Sequence, residues 1–187
     1  MSYFSKFPTT IFKGQPVADI TRKASLLKVT KSDALSYMNY TIQEGERPEE
    51  VAYFYYDSTD YTWLVLASND IVDPYTEWPK SIDTLEQYII SKYASQSKAT
   101  GQSVIEWTKN TSLGANIKYY ASYTDPTIKL NRASYLSQDE NEKAEFYPVR
   151  VYDYESMLNE QRRNIVLVNK SYLADIDKQL GPKLNAD

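Results

Sequence analysis

The sequence predicts an α+β protein: a small strand–helix–helix core, an extended N-terminal arm, and a mixed strand and helix C-terminal region that ends in a helix. Three observations carry this prediction. Residues 36–43, SYMNYTIQ, alternate in side-chain character with the period of a strand. Two apolar stretches, separated by DST at 57–59, follow between 47 and 68. Near the end, the apolar run IVLV (165–168) precedes Leu173, Ile176 and Leu180, which share one helix face. The 187 residues suit one domain with extensions. They divide into an arm (1–35), a core (36–95) and a C-terminal region (96–187).

In the arm, Pro8, Gly14 and Pro16 break the chain into short pieces, and ASLLKVT (24–30) suits a short exposed strand. In the first core strand Met38, Tyr40 and Ile42 point one way and Tyr37, Asn39, Thr41 and Gln43 the other, which predicts a half-buried strand. EGE then turns the chain. Pro48 suits the first helical position, and Glu49 and Glu50 suit the positive end of a helix whose buried stripe is Val51, Ala52, Phe54 and Tyr55. Asp60 is placed to cap a second, mostly buried helix from Tyr61 to about Ser68, which Asn69 and Asp70 stop. Asp73-Pro74 and Trp78-Pro79 predict extended or turn pairs. A third helix in SIDTLEQYIISKYASQS carries an apparent capping box, Asp83 with Glu86, and a stripe of Leu85, Tyr88, Ile89 and Tyr93.

Residues 102–153 suggest strands and irregular chain. NIKYYASY alternates, SQDENEKAE suggests an exposed loop, and FYPVRVY is extended. YESMLNEQRRN predicts a short charged helix and IVLV a buried strand. Gly181-Pro182 is expected to end the last helix.

Composition removes whole classes of chemistry. The chain has no histidine and no cysteine, so a Ser-His-Asp triad, a HExxH zinc site, a disulfide and a thiolate nucleophile are all impossible. No D-x-D-x-D-G calcium loop occurs. Net charge is −4 and the basic residues are scattered, which argues against a nucleic-acid surface. No apolar run is long enough to span a membrane, and the first residues have no signal-peptide pattern, which suggests synthesis in a cytoplasm. Tyrosine is abundant, 18 residues, more than a core alone requires, so some should face partners.

The order from 36 to 79 is strand, glycine turn, helix, short loop, helix and an asparagine-containing exit. This resembles the LysM module, a small sheet with two helices on one face, although no PGQ-x-L closing strand follows Trp78. ERPEEVA, YTWLVLASNDIVDPYTEWP and YESMLNEQRRNIVLV together resemble the LysM-like baseplate wedge subunit of contractile-tailed phages of the T-even type. The likeness rests on Arg47, Pro48, Glu49, Glu50, Trp63, Asn69, Asp70, Asp73, Pro74, Tyr75 and Trp78. Near the other end it rests on Tyr154, Glu155, Asn159, Glu160, Arg163 and Ile165.

The resemblance implies a structural role without enzymatic activity or cofactor: joining the wedge core of the baseplate and fastening neighbouring wedges. It implies other wedge proteins as partners, among them wedge core subunits and a sheath-initiator-like subunit, several copies in a ring, and a final place in the virion tail. Arg47, Asn69, Asp73, Tyr75, Trp78, Tyr154, Glu160 and Arg163 are the candidate partner-binding residues. The alternative is a LysM-type peptidoglycan-binding module, against which YYDSTDY and DIVDPY would crowd a sugar groove. A two-carboxylate glycosidase would draw on Glu49, Glu50, Asp70, Asp73 and Glu77, but caps, turns and the helix dipole already account for these acids.

Overall fold

The computed structural model describes residues 7–19, 36–111 and 114–184. They form two compact units. One takes the described residues up to Pro79 together with those from Arg162 onward; the other is Lys80–Gln161. These borders fall elsewhere than the divisions after 35 and 95 that the sequence suggests.

The first unit opens with a hairpin, β1 (Thr9–Phe12) and β2 (Gln15–Ala18), whose turn residues Lys13 and Gly14 both have positive φ, as a type I′ turn requires. Its core is built by β3 (Tyr37–Thr41), α1 (Pro48–Tyr56), a 3₁₀ turn at Thr59–Tyr61, α2 (Thr62–Ser68) and a one-turn helix α3 (Pro74–Glu77). β7 (Asn164–Val168) and α9 (Leu173–Leu184) complete it from the far end of the chain. β3 pairs antiparallel with β7, in a register that sets Tyr40 opposite Ile165. Backbone bonds Ile42 N–H to Arg163 O (2.9 Å) and Asn169 N–H to Ser36 O (2.8 Å) extend the pairing at both ends. Ile42, Val51, Leu64, Val65, Ile165, Leu167 and Val168 fill the core between the strand pair and the helices. Each such side chain removed from water contributes about 1.5–3 kcal/mol. Tyr56 is buried among them and donates its hydroxyl to Val168 O at 3.0 Å. Phe7 and Leu180 make a small second cluster against Trp63.

The second unit holds α4 (Ile82–Ser97), α5 (Gln102–Lys109), β4 (Ile117–Ser122), β5 (Lys129–Leu130), α6 (Arg132–Leu136), α7 (Glu140–Lys143), β6 (Phe146–Arg150) and α8 (Val151–Gln161). Its antiparallel sheet has the order β5-β4-β6. Leu85, Ile89 and Tyr93 of α4, Val104 and Ile105 of α5, and Val151 of α8 form its core.

Several local expectations are corrected. Phe54 is exposed, at 71%. α1 turns Val51, Ala52 and Tyr56 inward, which leaves Phe54 on its outer face. Ser58, not Asp60, caps the 3₁₀ turn before α2, accepting from Asp60 N at 3.1 Å. Likewise Ser81, not Asp83, is the N-cap of α4, and Asp83 lies in the first turn, where its charge suits the helix dipole. Tyr88 is partly exposed rather than part of the buried stripe. Asp73 and Trp78 are extended, as expected before proline, and Pro74–Glu77 between them closes into a helical turn. The region after 102 is helix-rich as well as stranded: in α5 the buried Val104, Ile105 and Thr108 lie at helical spacing, and Asp139 with Glu142 makes a reciprocal capping box for α7 in the supposed loop. α9 continues to Leu184 through Gly181-Pro182; so near its end proline removes only one helical bond. The strand suggested at 24–30 lies outside the described residues.

Candidate partner-binding surface

The exit from α2 is where the first unit gathers most of its candidate residues. Asp70 adopts a left-handed φ of 55° and ends the helix region. The chain then closes α3 with two carboxylates. Asp73 accepts from Tyr75 N (3.0 Å) and from the Thr76 hydroxyl (2.8 Å), while Glu77 Oε2 accepts from the N–H groups of Val72 and Asp73, both at 2.7 Å. This small turn is internally bonded yet presents apolar area outward: Tyr75 is 90% exposed and Val72 74%. Val72 is missing from the sequence-based set. Its signal is an aliphatic residue inside a polar turn that offers it no core position.

Trp78 and Asn69 point the other way. Trp78 is buried, and its indole N–H donates to Glu46 O at 2.8 Å. Asn69 reaches back to β7: its amide donates to Val166 O (2.9 Å) and Val65 O (2.8 Å), and its carbonyl accepts from Val166 N (2.8 Å). The side chain thus copies a strand's donor and acceptor and joins the end of α2 to β7. Arg163 is also engaged within the chain, with a guanidinium bond to Ile42 O and an ion pair with Glu44. Arg47, by contrast, has a largely exposed side chain, 3.7 Å from Glu49. Asn69, Asp70, Ile71, Glu77, Arg162, Asn164 and Ile165 line an open cleft of about 390 Å³.

In the second unit, Glu160 is exposed and Tyr154 half-buried, with its ring edge-on to Tyr119 at 6.0 Å. Beside Tyr154, Glu155 is buried at 4% exposure and accepts from Lys92 Nζ (2.9 Å) and the Tyr93 hydroxyl. Burial and the adjacent Glu155 carboxylate push the Tyr93 phenol up from its ordinary value. Burial lowers the Lys92 ammonium, but hydrogen bonds to Tyr88 and Glu155 outweigh that and hold it above its usual range. Four residues further on, Asn159 accepts from Lys80 N (2.7 Å) and donates to Lys80 O (2.8 Å).

The exposed members of the candidate set, Arg47, Asp73, Tyr75 and Glu160, are therefore surface groups. Asn69, Trp78 and Arg163 make bonds that hold the fold, and Tyr154 packs its ring edge-on against Tyr119. The structure also exposes apolar side chains that the sequence-based set lacks: Ile11 and Phe12 on the hairpin, and Tyr53 and Phe54 on α1. Among the described residues no cluster of acidic side chains is placed to hold a metal ion.

The model of the family described as base plate wedge protein 53 matches residues 3–180. The chain belongs to that family. It is also similar to the baseplate wedge protein gp53 of Enterobacteria phage T4, with 31% identity over 140 residues, which cover 71% of this chain and 65% of the T4 protein. The chain thus spans slightly less than two thirds of that relative's length in the match. All eight candidate residues of this base plate wedge 53 family member lie inside the matched range.

Proposed function

We propose that this chain is a structural component of a phage tail baseplate wedge, that it binds wedge core subunits, and that it fastens neighbouring wedges during tail assembly. The reading places it in the virion tail, in several copies around a ring, without catalysis. The family match across 3–180 carries it. The surface agrees in kind. Exposed tyrosine and aliphatic side chains on an internally bonded turn, with Tyr75 at 90%, give a contact that is ordered before it binds, and aromatic anchors of this type contribute most where interfaces must persist. The test is co-assembly of the purified chain with the other wedge proteins, followed by size-exclusion chromatography. A stable complex is expected; a chain that elutes alone from a mixture competent to form the rest of the wedge refutes the reading.

One observation favours a LysM-like description of the first unit. The strand that pairs with β3 does not follow the helix pair directly; β7 supplies it after residues 80–161, so the order strand–helix–helix–strand holds with a long insertion. That order supports the fold likeness, while function follows from the site and not from the fold. Saturable sedimentation with purified cell-wall sacculi would favour peptidoglycan binding over the assembly role; no sedimentation is expected.

A further inference from the structure

The second unit carries a continuous row of alternating ammonium groups and phenol rings. Lys92 Nζ lies 4.9 Å from the Tyr88 ring centroid and 5.5 Å from that of Tyr93. Lys118 Nζ lies 5.1 Å from Tyr93 and 5.4 Å from Tyr154. Tyr154 meets Tyr119 edge-on, and Lys129 Nζ stands 4.9 Å from the Tyr119 ring. Each contact is within cation–π range, so the row runs unbroken from α4 across α8 and β4 to β5. Lys118 and Lys129 are exposed, and neither has a carboxylate within 4.0 Å among the described residues. The carboxylate that the row does contain, Glu155, is buried beneath it and is satisfied by Lys92 and Tyr93. The nearby Asp153 is 3.9 Å from Arg150. In a chain of net charge −4, this is a local reversal of sign.

We propose that this lysine–tyrosine strip is a docking surface for an acidic polypeptide segment of a neighbouring protein. The charge fixes the sign of the partner. The rings fix its class. Tyr93 is 3% exposed, and Tyr119 and Tyr154 are half-buried with ammonium groups beside them, so they form a floor rather than open faces for stacked bases. Single-stranded nucleic acid needs such free faces. An extended acidic peptide needs only the ammonium row for its carboxylates and the apolar parts of rings and lysine stems between them. The inference deepens the assembly reading, which supplies the neighbour, but its test does not depend on co-assembly.

The full-length chain is titrated with a fluorescent synthetic peptide of alternating glutamate and tyrosine, at low and at high salt, by anisotropy. The controls are the same peptide with glutamine for glutamate and a short oligothymidylate. Binding at low salt that weakens as salt rises is expected. Lys118→Gln with Lys129→Gln should weaken it about tenfold while the chain stays folded, its thermal midpoint lowered by no more than a few degrees through the lost ring contacts. Lys118→Glu with Lys129→Glu should abolish it. Amide NMR shifts on peptide addition should cluster at Tyr93, Lys118, Lys129 and Tyr154. No binding at low salt, equal binding by the glutamine peptide, or full binding by a folded Lys118→Gln, Lys129→Gln variant overturns the proposal. Tighter binding of oligothymidylate than of the acidic peptide also overturns it, and makes the strip a nucleic-acid surface.

Discussion

The two units solve one problem, fixing chain segments distant in sequence, with the same side chain and different cores. In the first, the Asn69 amide bonds both backbone groups of Val166; in the second, Asn159 bonds both backbone groups of Lys80. The core of the first unit is mostly aliphatic, with Tyr56 and Trp78 among its members, and its strand pair is already hydrogen-bonded. Asn159 is one helical turn from a buried carboxylate, Glu155, whose charge the second unit must keep paired. The first unit depends on packing, where loss scales with cavity size. The second depends in addition on a charge network, where loss depends on which partner is removed.

The largest effect tests the packing side. Leu64→Ala, at a fully buried position, should cost about 3 kcal/mol. Trp63 and Trp78 belong to the first unit and Trp107 to the second. Urea unfolding of variants that keep one tryptophan therefore shows where the loss falls, and an equal shift at all three probes would mean that the units unfold together. Next, Lys92→Met should cost about 2–3 kcal/mol, because Glu155 keeps its burial and loses its counter-charge; the 40% exposure of Lys92 holds the figure below that of a fully buried pair. Lys92→Arg, which keeps the positive charge beside Glu155, should cost less, so an equal penalty for the Met and Arg variants would break the charge account. Asn69→Ala and Asn159→Ala should each cost about 2 kcal/mol through backbone groups left unpaired. Unfolding monitored at Trp78 and at Trp107 should separate them, and a neutral result for either would remove it as a latch.

Alkali gives a smaller and shared effect. Burial and the carboxylate of Glu46 push the Tyr40 phenol up to about 12, and burial with Asp177 does the same for Tyr61; Tyr56 and Tyr93 are also raised. Their folded values exceed the ordinary 10.0, so the unfolded chain ionises first. The stability they contribute is complete below pH 10 and is lost as pH climbs towards 12. Chemical denaturation across that range, with phenolate absorbance as a second readout, checks the sign. Smallest for stability is Tyr75→Ala, within about 0.5 kcal/mol, because the side chain is almost wholly exposed. Its effect should appear instead in co-assembly with wedge proteins, and unchanged assembly would remove Tyr75 from the proposed contact.

The same comparison explains what was legible in the sequence. β3, α1, α2, α4, α8 and β7 are short-range consequences of period, proline and acidic first turns, and the expected positions agree with the structure within a few residues. Two helix caps differ from those the sequence suggests because serines at 58 and 81 precede the acids and capture the first free N–H groups. Much of the second unit was obscured, since Val104, Ile105 and Thr108 make too short a stripe to stand out from strand-like neighbours. The candidate residues divide by a long-range fact. Nothing near Asn69 in sequence indicates that Val166 will receive its amide, or near Trp78 that Glu46 O will. Tyr75 is different: it sits on a turn that its own neighbours build.

The pairing of β3 with β7 also sets an order of events at the ribosome. Ile42 bonds to an arginine 121 residues further along the chain. The first unit therefore begins to emerge early but stays open, with Ile42, Val51 and Leu64 uncovered, until translation reaches β7. By then the β5-β4-β6 sheet of residues 80–161 has all its strands, and the Asn159 bonds to Lys80 that bring the two ends of the segment together are in place. The part of the protein made second thus finishes first, and the nascent first unit must avoid aggregation for as long as it takes to make the other.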